Sequence, residues 1–388
     1  MAVHKWMLTA ADLGISVVSL DFSSRNIGGR LPGWTVRKTR LRGGLSEGVD
    51  VVHVDNGRLS FSVLPTRGMG LWKAWLDGEE IGWQSPVRGP VHPQFVPLME
   101  PSGLGWLDGF DELLVRCGLE SNGAPDFDQQ GRLRYPLHGR IANRPARRVE
   151  VEVDDESGEI AVTGVVEETR FLCRNLRMTS RISTRLGESH LRIRDEVENV
   201  SGSPTEVQLL YHINFGKPLL DADSRFVAAF QKMMPRDARA AEGVAAWDVY
   251  GPESAGFAEQ VYFLQLVPDA QGWSPALLKN AAGTRGVGVH MNTKQLPCFT
   301  LWKNTGAAAD GYVTGLEPGT NFPNPRTYEG RQGRVVKLDA GGSAVFQVGL
   351  EIHDGAEQVQ KAEQAISALQ AGVTPQVCQR PQAPWCVV

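Results

Sequence analysis

The stretch that decides the fold lies between residues 148 and 215. It contains RVEVEVDD (148–155), EIAVTGVVEETRFLC (159–173), LRMTSRISTRL (176–186), HLRIRDEVENV (190–200) and EVQLLYHINF (206–215). Apolar and polar residues alternate in each run, which turns one face toward a core and the other toward water, as in antiparallel strands. Gly158, Gly187-Glu188 and Ser201-Gly202-Ser203-Pro204 break the runs with turn chemistry. The pattern predicts five strands in consecutive meander pairs within one sheet.

Outward from this stretch the same grammar continues. VVHVDNGRLSFSVLP (51–65) and GLWKAWLDGEEIGW (70–83) carry Asn56-Gly57 and Asp77-Gly78, dipeptides that tolerate the positive φ of tight hairpins. Downstream stand VYFLQLVPD (261–269), GVGVHMN (286–292), CFTLWKN (298–304) and SAVFQVGLEIHD (343–354). Helical spacing emerges only near the end, where Val359, Ala362, Ile366 and Leu369 share a stripe. QRPQAPWCVV (379–388) has no pattern and reads as an extended tail; Asn26-Ile27-Gly28-Gly29-Arg30 reads as a turn. The expected fold class is all-β, a large antiparallel β-sandwich with few helices. We divide the chain into an N-terminal extension at 1–45 packed on the main domain, a principal domain at 46–354, and a C-terminal helix and tail at 355–388.

Composition excludes several classes. With 388 residues, 41% of them hydrophobic, and a formal net charge of -4, the chain has material for a large core and no basic face for nucleic acid. Cys117, Cys173, Cys298, Cys378 and Cys386 form no CxxC pair, which argues against a structural zinc site and a disulfide framework. No run approaches the roughly 18–20 apolar residues of a membrane span, and the N-terminus lacks a signal-peptide pattern. A soluble cytoplasmic protein is expected.

Four clusters are more specific than strands require: Pro65-Thr66-Arg67-Gly68-Met69-Gly70, Tyr135-Pro136-Leu137-His138-Gly139-Arg140, Tyr211-His212-Ile213-Asn214-Phe215-Gly216, and Gly315-Leu316-Glu317-Pro318-Gly319-Thr320-Asn321-Phe322-Pro323. Each sets an ionisable residue beside Gly, Pro or Asn at a strand end, where sites usually sit. His138, His212 and Glu317 supply groups that burial and neighbours tune for proton transfer. His4, His53, His92, His190, His290 and His353 are read as ordinary structural histidines.

In order and residue type these clusters resemble the aldose 1-epimerase family, and the chain looks like its divergent DUF4432-type branch over roughly residues 51–353. The resemblance implies a galactose-mutarotase-like β-sandwich acting on a pyranose. It carries the catalytic glutamate over to Glu317, the catalytic histidine to His212, a substrate-orienting histidine to His138 and a sugar-binding arginine to Arg67. Two departures point to a rebuilt substrate pocket. Glu317 leads into Pro318-Gly319-Thr320 rather than a Glu-x-Gln context, and His212 precedes Ile213-Asn214-Phe215 rather than x-Tyr-Phe-Asn.

Further substrate contacts are assigned to Trp106 and Asp108, to Trp302 and Lys303, and to Asn214. Aromatic faces suit the C–H faces of sugars, and a lysine suits an acidic substituent. The expected reaction is interconversion of α and β anomers of an aldose or sugar derivative. Ionised Glu317 takes the C1 hydroxyl proton and protonated His212 gives one to the ring oxygen. Only protons move, so no nicotinamide or flavin is expected. A divalent metal at His138 and His212 is an alternative that the spacing does not require. The expected partner is a small-molecule carbohydrate, with a homodimer left open. Two rival readings are a sugar isomerase or lyase working beside a carbonyl, and a carbohydrate-binding protein without catalysis.

Overall fold

In the computed structural model the alternating stretch forms an antiparallel meander of four strands, Ala146–Asp154, Glu159–Arg170, Arg174–Arg185 and His190–Asn199. The fifth expected strand does not continue it. Thr205–Gly216 crosses to the opposite sheet, where it pairs with Leu114–Leu119 and Val313–Gly319. The reason is burial. The meander strands alternate buried and half-exposed positions, whereas Val207 to Gly216 are all buried, so this strand needs cover on both faces. His190–Asn199 pairs instead with Ser343–Asp354.

The structure describes residues 3–27 and 31–388, so residues 28–30 of the expected turn lie outside the described residues. Among those described, a ten-stranded and a fourteen-stranded sheet pack face to face, with one small hairpin besides. Leu59, Phe61, Leu209 and Phe215 from one sheet meet Val151, Ile182, Ile193 and Leu350 from the other in a single core, the layered packing of a sandwich. A polar tie crosses this core. Arg116 donates to both oxygens of Asp195 at 2.5 and 3.0 Å and to Ser180 Oγ, while Tyr211 Oη donates to Asp195 at 2.8 Å. Such a buried charge is tolerated because its partners are satisfied.

Residues before 46 belong to both sheets. Val3–Ala10 pairs with Ala146–Asp154, while Leu20–Ser23 and Thr35–Arg40 extend the fourteen-stranded sheet. Asp77-Gly78 closes a hairpin with φ of 49° and 86°. Near the other end, Ala356–Gln370 buries Val359 and Ile366 against Ala229 and Leu277. The patternless tail is docked rather than free. Cys386 is fully buried, Trp385 packs on Phe322 at 4.9 Å, and Asn324 Nδ2 donates to the Trp385 carbonyl at 2.8 Å. Its cohesion comes from backbone acceptors and two large contacts, neither of which has a period to read. No helix among the described residues is long and apolar enough to cross a membrane.

Candidate active site

Period-two alternation sorts the central strands of the fourteen-stranded sheet into two faces. Tyr211, Ile213, Leu316 and Leu301 enter the core, so His212, Asn214, Gly315, Glu317, Thr300 and Trp302 face outward. The register setting Ile213 opposite Leu316 and Leu210 opposite Gly319 brings His212 across from Glu317, and Thr300 pairs with Glu317 on its other side. His212, Glu317 and Thr300 thus form one cross-strand row, the arrangement in which side chains meet.

His212 Nε2 lies 3.2 Å from Glu317 Oε1. The other ring nitrogen fixes the tautomer. Asn214 Nδ2 donates to the Glu112 carbonyl, so its Oδ1 accepts from His212 Nδ1–H at 2.6 Å. Nε2 is left as an acceptor, which a protonated Glu317 satisfies. Electrostatics agree: burial holds Glu317 well above the usual carboxylate range, reinforced by Glu259 and opposed by Arg236. Burial likewise pushes His212 well below the usual imidazole value, with His138 adding to it and the Asn214 bond opposing. Both shifts favour a neutral pair sharing one proton, whereas the sequence reading placed charges on both.

A roof covers this outward face. Trp106, on the helical turn Gly105–Gly109, stands 4.6 Å from His138 and 6.2 Å from His212 between ring centres; Phe110 lies 5.1 Å and Trp302 5.4 Å from His212. His212 and Glu317 are consequently only 4% and 2% exposed. Half-buried His138 and Trp302 and exposed Glu259 are where water reaches the cluster; Glu259 accepts from Trp302 Nε1 at 2.6 Å and from Arg236 at 2.9 Å.

His138 sits 5.4 Å from His212, ring to ring. Its φ is 55°, and Gly139 follows in the same left-handed region, where only glycine fits because a Cβ would come within 2.0 Å of the Ser121 carbonyl oxygen. Its Nδ1 donates to the Asn122 carbonyl at 2.9 Å, leaving Nε2 as acceptor. Burial pushes its pKa down to about 4. Asn122 and Asn321 exchange side-chain hydrogen bonds of 2.9 and 2.8 Å, pinning the His138 loop to the strand end that follows Glu317.

Several expected contacts are not brought together. Arg67 is 1% exposed and donates to Glu112, to Asn143 Oδ1 and to the carbonyls of Val91 and Gly109. It clamps the roof segment to the sheet and turns no donor toward a sugar. Lys303 points to the opposite face from Trp302 by strand alternation; its Nζ donates to the carbonyls of Ala246, Trp247 and Val249 at 3.1, 2.9 and 2.6 Å, and burial lowers its pKa to about 8. Asn214 orients His212 instead of reaching outward. Asp108 is exposed on its turn, with no hydrogen bond to the pair. Among the described residues no group of three or more His, Cys, Asp or Glu is placed to hold a metal ion, His138 and His212 included.

The sequence reading missed Phe110, Glu259, Arg236 and Thr300, which lie on strands or loops whose register the sequence does not show. Gly315, quoted in the Glu317 cluster without a role of its own, gains one here, since a Cβ would stand 2.6 Å from Glu317 Oε1, 3.0 Å from His212 Cε1 and 3.2 Å from Trp302 Cε3. The missing side chain of that glycine lets pair and tryptophan converge.

Fold and site together define a galactose-mutarotase-like β-sandwich with a buried His/Glu pair. The chain belongs to the DUF4432 family, a domain of unknown function, which matches residues 46–352. A solved structure from Klebsiella pneumoniae subsp. pneumoniae, provisionally named an aldose 1-epimerase, is 34% identical over 98% of this chain and 100% of its own, with a TM-score of 0.95. A galactose mutarotase-like protein from Clostridium acetobutylicum shares the fold at 15% identity and a TM-score of 0.57, over 82% of this chain and 98% of its own. A comparison with curated proteins finds no match.

Proposed function

We propose that the chain interconverts the anomers of a sugar by proton transfer at the His212–Glu317 pair. The observation that carries this reading is the 3.2 Å contact between His212 Nε2 and Glu317 Oε1 inside a nearly water-free aromatic enclosure. A pair holding one proton can give it to one oxygen and take one from another. In the resting neutral form Glu317 holds that proton. Sugar hydroxyls entering beside it solvate the carboxylate and let the proton pass to His212. Glu317 then takes the C1 hydroxyl proton while His212 gives its own to the ring oxygen, and the ring opens to the aldehyde. Rotation about C1–C2 and reclosure by the reverse transfers yield the other anomer. His138, neutral and held by Asn122, offers Nε2 to a hydroxyl, and the faces of Trp106 and Trp302 suit the C–H faces of a pyranose.

Anomer exchange followed by NMR saturation transfer over a panel of free sugars tests this. Glu317→Gln is expected to lower the exchange rate by about 10²–10⁴-fold. Exchange no faster than buffer for every sugar would remove the reading, and deuterium incorporation at carbon would replace it with an isomerase or lyase.

A further inference from the structure

Two polar atoms at the site have no partner inside the protein. Trp106 Nε1 and Thr300 Oγ1 are both shielded from water and unbonded, in residues that are each 1% exposed. Buried donors are almost always satisfied, and one left open costs free energy unless something else fills it. Their placement is informative. Thr300 is the third member of the row His212–Glu317–Thr300 and projects from the same face as Glu317. Trp106 packs against both His138 and His212. These orphans flank the pair that the proposed reaction uses.

The nearby cations have the opposite character. Arg67 and Lys303 are committed to protein acceptors. Arg236, whose charge acts on Glu317, is paired with Asp237 and Glu259 at 2.9 Å each. An anionic substituent would find Arg67 and Arg236 already paired with carboxylates and the Lys303 donors spent on carbonyls on the opposite face of the sheet, whereas a hydroxyl finds two open neutral groups.

We infer that Trp106 Nε1 and Thr300 Oγ1 are the hydroxyl-recognising groups of this site, and that its ligand is a neutral polyhydroxylated ring rather than a phosphorylated, sulfonated or carboxylated sugar. This rests on the anomer-exchange reading for the location of the ring but not for its chemistry. Trp106 Nε1 donates to a ring substituent on the His138 side. Thr300 Oγ1 donates to or accepts from a hydroxyl beside Glu317. A hydrogen-bonding site of this kind discriminates strongly against a ligand that leaves its buried groups unpaired.

The test uses the full chain with ¹⁵N-labelled tryptophan, the Trp106 indole resonance being assigned with Trp106→Phe. D-glucose, D-galactose, D-glucose 6-phosphate and D-glucuronate are titrated into the parent, Thr300→Val and Thr300→Ser. We expect a neutral hexose to shift the Trp106 indole N–H, Thr300→Val to weaken its binding about tenfold, and Thr300→Ser to restore it. The urea midpoint of Thr300→Val should equal or exceed the parent's, because an isosteric methyl replaces an unsatisfied buried hydroxyl. A lower midpoint with unchanged affinity would make Thr300 structural and overturn the inference. So would an unmoved indole with both hexoses, or tighter binding of the phosphate or uronate than of its neutral counterpart. Anomer exchange on the same samples separates the two claims. An indole shift without exchange keeps this inference and ends the catalytic reading, and exchange with an unmoved indole does the reverse.

Discussion

Histidines gather round a glutamate on both outer faces of the sandwich, and each group is organised about a glycine. On the fourteen-stranded sheet Gly315 leaves the space where Glu317, His212 and Trp302 meet. On the ten-stranded sheet a Cβ at Gly288 would stand 3.2 Å from His290 Nε2 and 3.3 Å from His353 Nε2. There Glu351 takes contacts from His190 Nε2 at 3.2 Å and His290 Nε2 at 3.0 Å. The letters match; the electrostatics do not. Hydrogen bonds from His190 and His290 hold Glu351 well below the usual carboxylate range against the opposing effect of burial, and His190, His290 and Glu351 remain 39%, 35% and 30% exposed. Glu317 moves the other way because a roof of Trp106, Phe110 and Trp302 removes water from it. Desolvation, not residue type, separates a proton-sharing pair from a surface ion cluster.

The glycines give the sharpest way to break the comparison. Gly315 has no positive φ, so alanine fits its backbone and acts only through its methyl group. Gly315→Ala is expected to displace the Glu317 carboxyl and lower anomer exchange about 10²-fold, the cost of misplacing a reacting group by about 1 Å. Its unfolding midpoint should barely move, since the displaced atoms are the ends of side chains. Gly288→Ala, nudging the half-exposed His290 and the buried His353 on the far sheet, should leave exchange unaltered. Equal effects in the two variants would show that the outer cluster takes part in the reaction.

A second difference is the pH range over which each group keeps its protons. Ordinary glutamate and histidine values near 4.3 and 6.5 would confine the one-proton state of a His/Glu pair to the narrow acidic window between them. Burial lowers His212 and raises Glu317, which widens that window at both ends. The limbs belong to the pair rather than to either residue. The rate of anomer exchange is therefore expected to stay level across neutral pH, falling only on either side. His138, at about 4, adds no limb between pH 6 and 8. A profile that peaks between pH 4 and 7 and collapses above it would mean that the pair is solvated and that the roof does not work as described.

How much of this was legible in the sequence depends on the residue. The meander was readable because residues 148–199 alternate on one exposed face, and the hairpin at Asp77-Gly78 because its φ angles demand such residues. The crossover of Thr205–Gly216 was not, since a strand buried on both faces loses the alternation that would assign its partner. His138, His212 and Glu317 were singled out by type and order, and the structure brings them together. Arg67 and Lys303 were misplaced for one reason. A sequence shows that a cation is present but not which carbonyls have claimed it. Phe110 and Thr300 carry no chemical signature at all, and become visible only when the fold sets them beside the pair; Gly315 stood in the Glu317 cluster, but only register shows which side chains meet at it.

The smallest expected effect is on stability, and it should differ in sign between the two glutamates. Glu351, with its folded pKa depressed, contributes stability above the unfolded value near 4.5 that is lost as pH falls below it. Glu351→Gln at pH 6 is expected to cost about 1 kcal/mol, held to that by solvent screening at one-third-exposed partners. Its deficit should shrink as the pH falls through 4. Glu317, with its folded pKa raised, contributes fully below 4.5 and loses that contribution as pH rises through the folded value. Glu317→Gln removes the ionisation while keeping a donor toward His212 Nε2, so its stability relative to the parent should rise with pH. Urea midpoints of the parent and both variants between pH 4 and 9 check this. Parallel slopes for the two variants would mean that the two faces hold their glutamates alike, and that the roof contributes nothing to the protonation of Glu317.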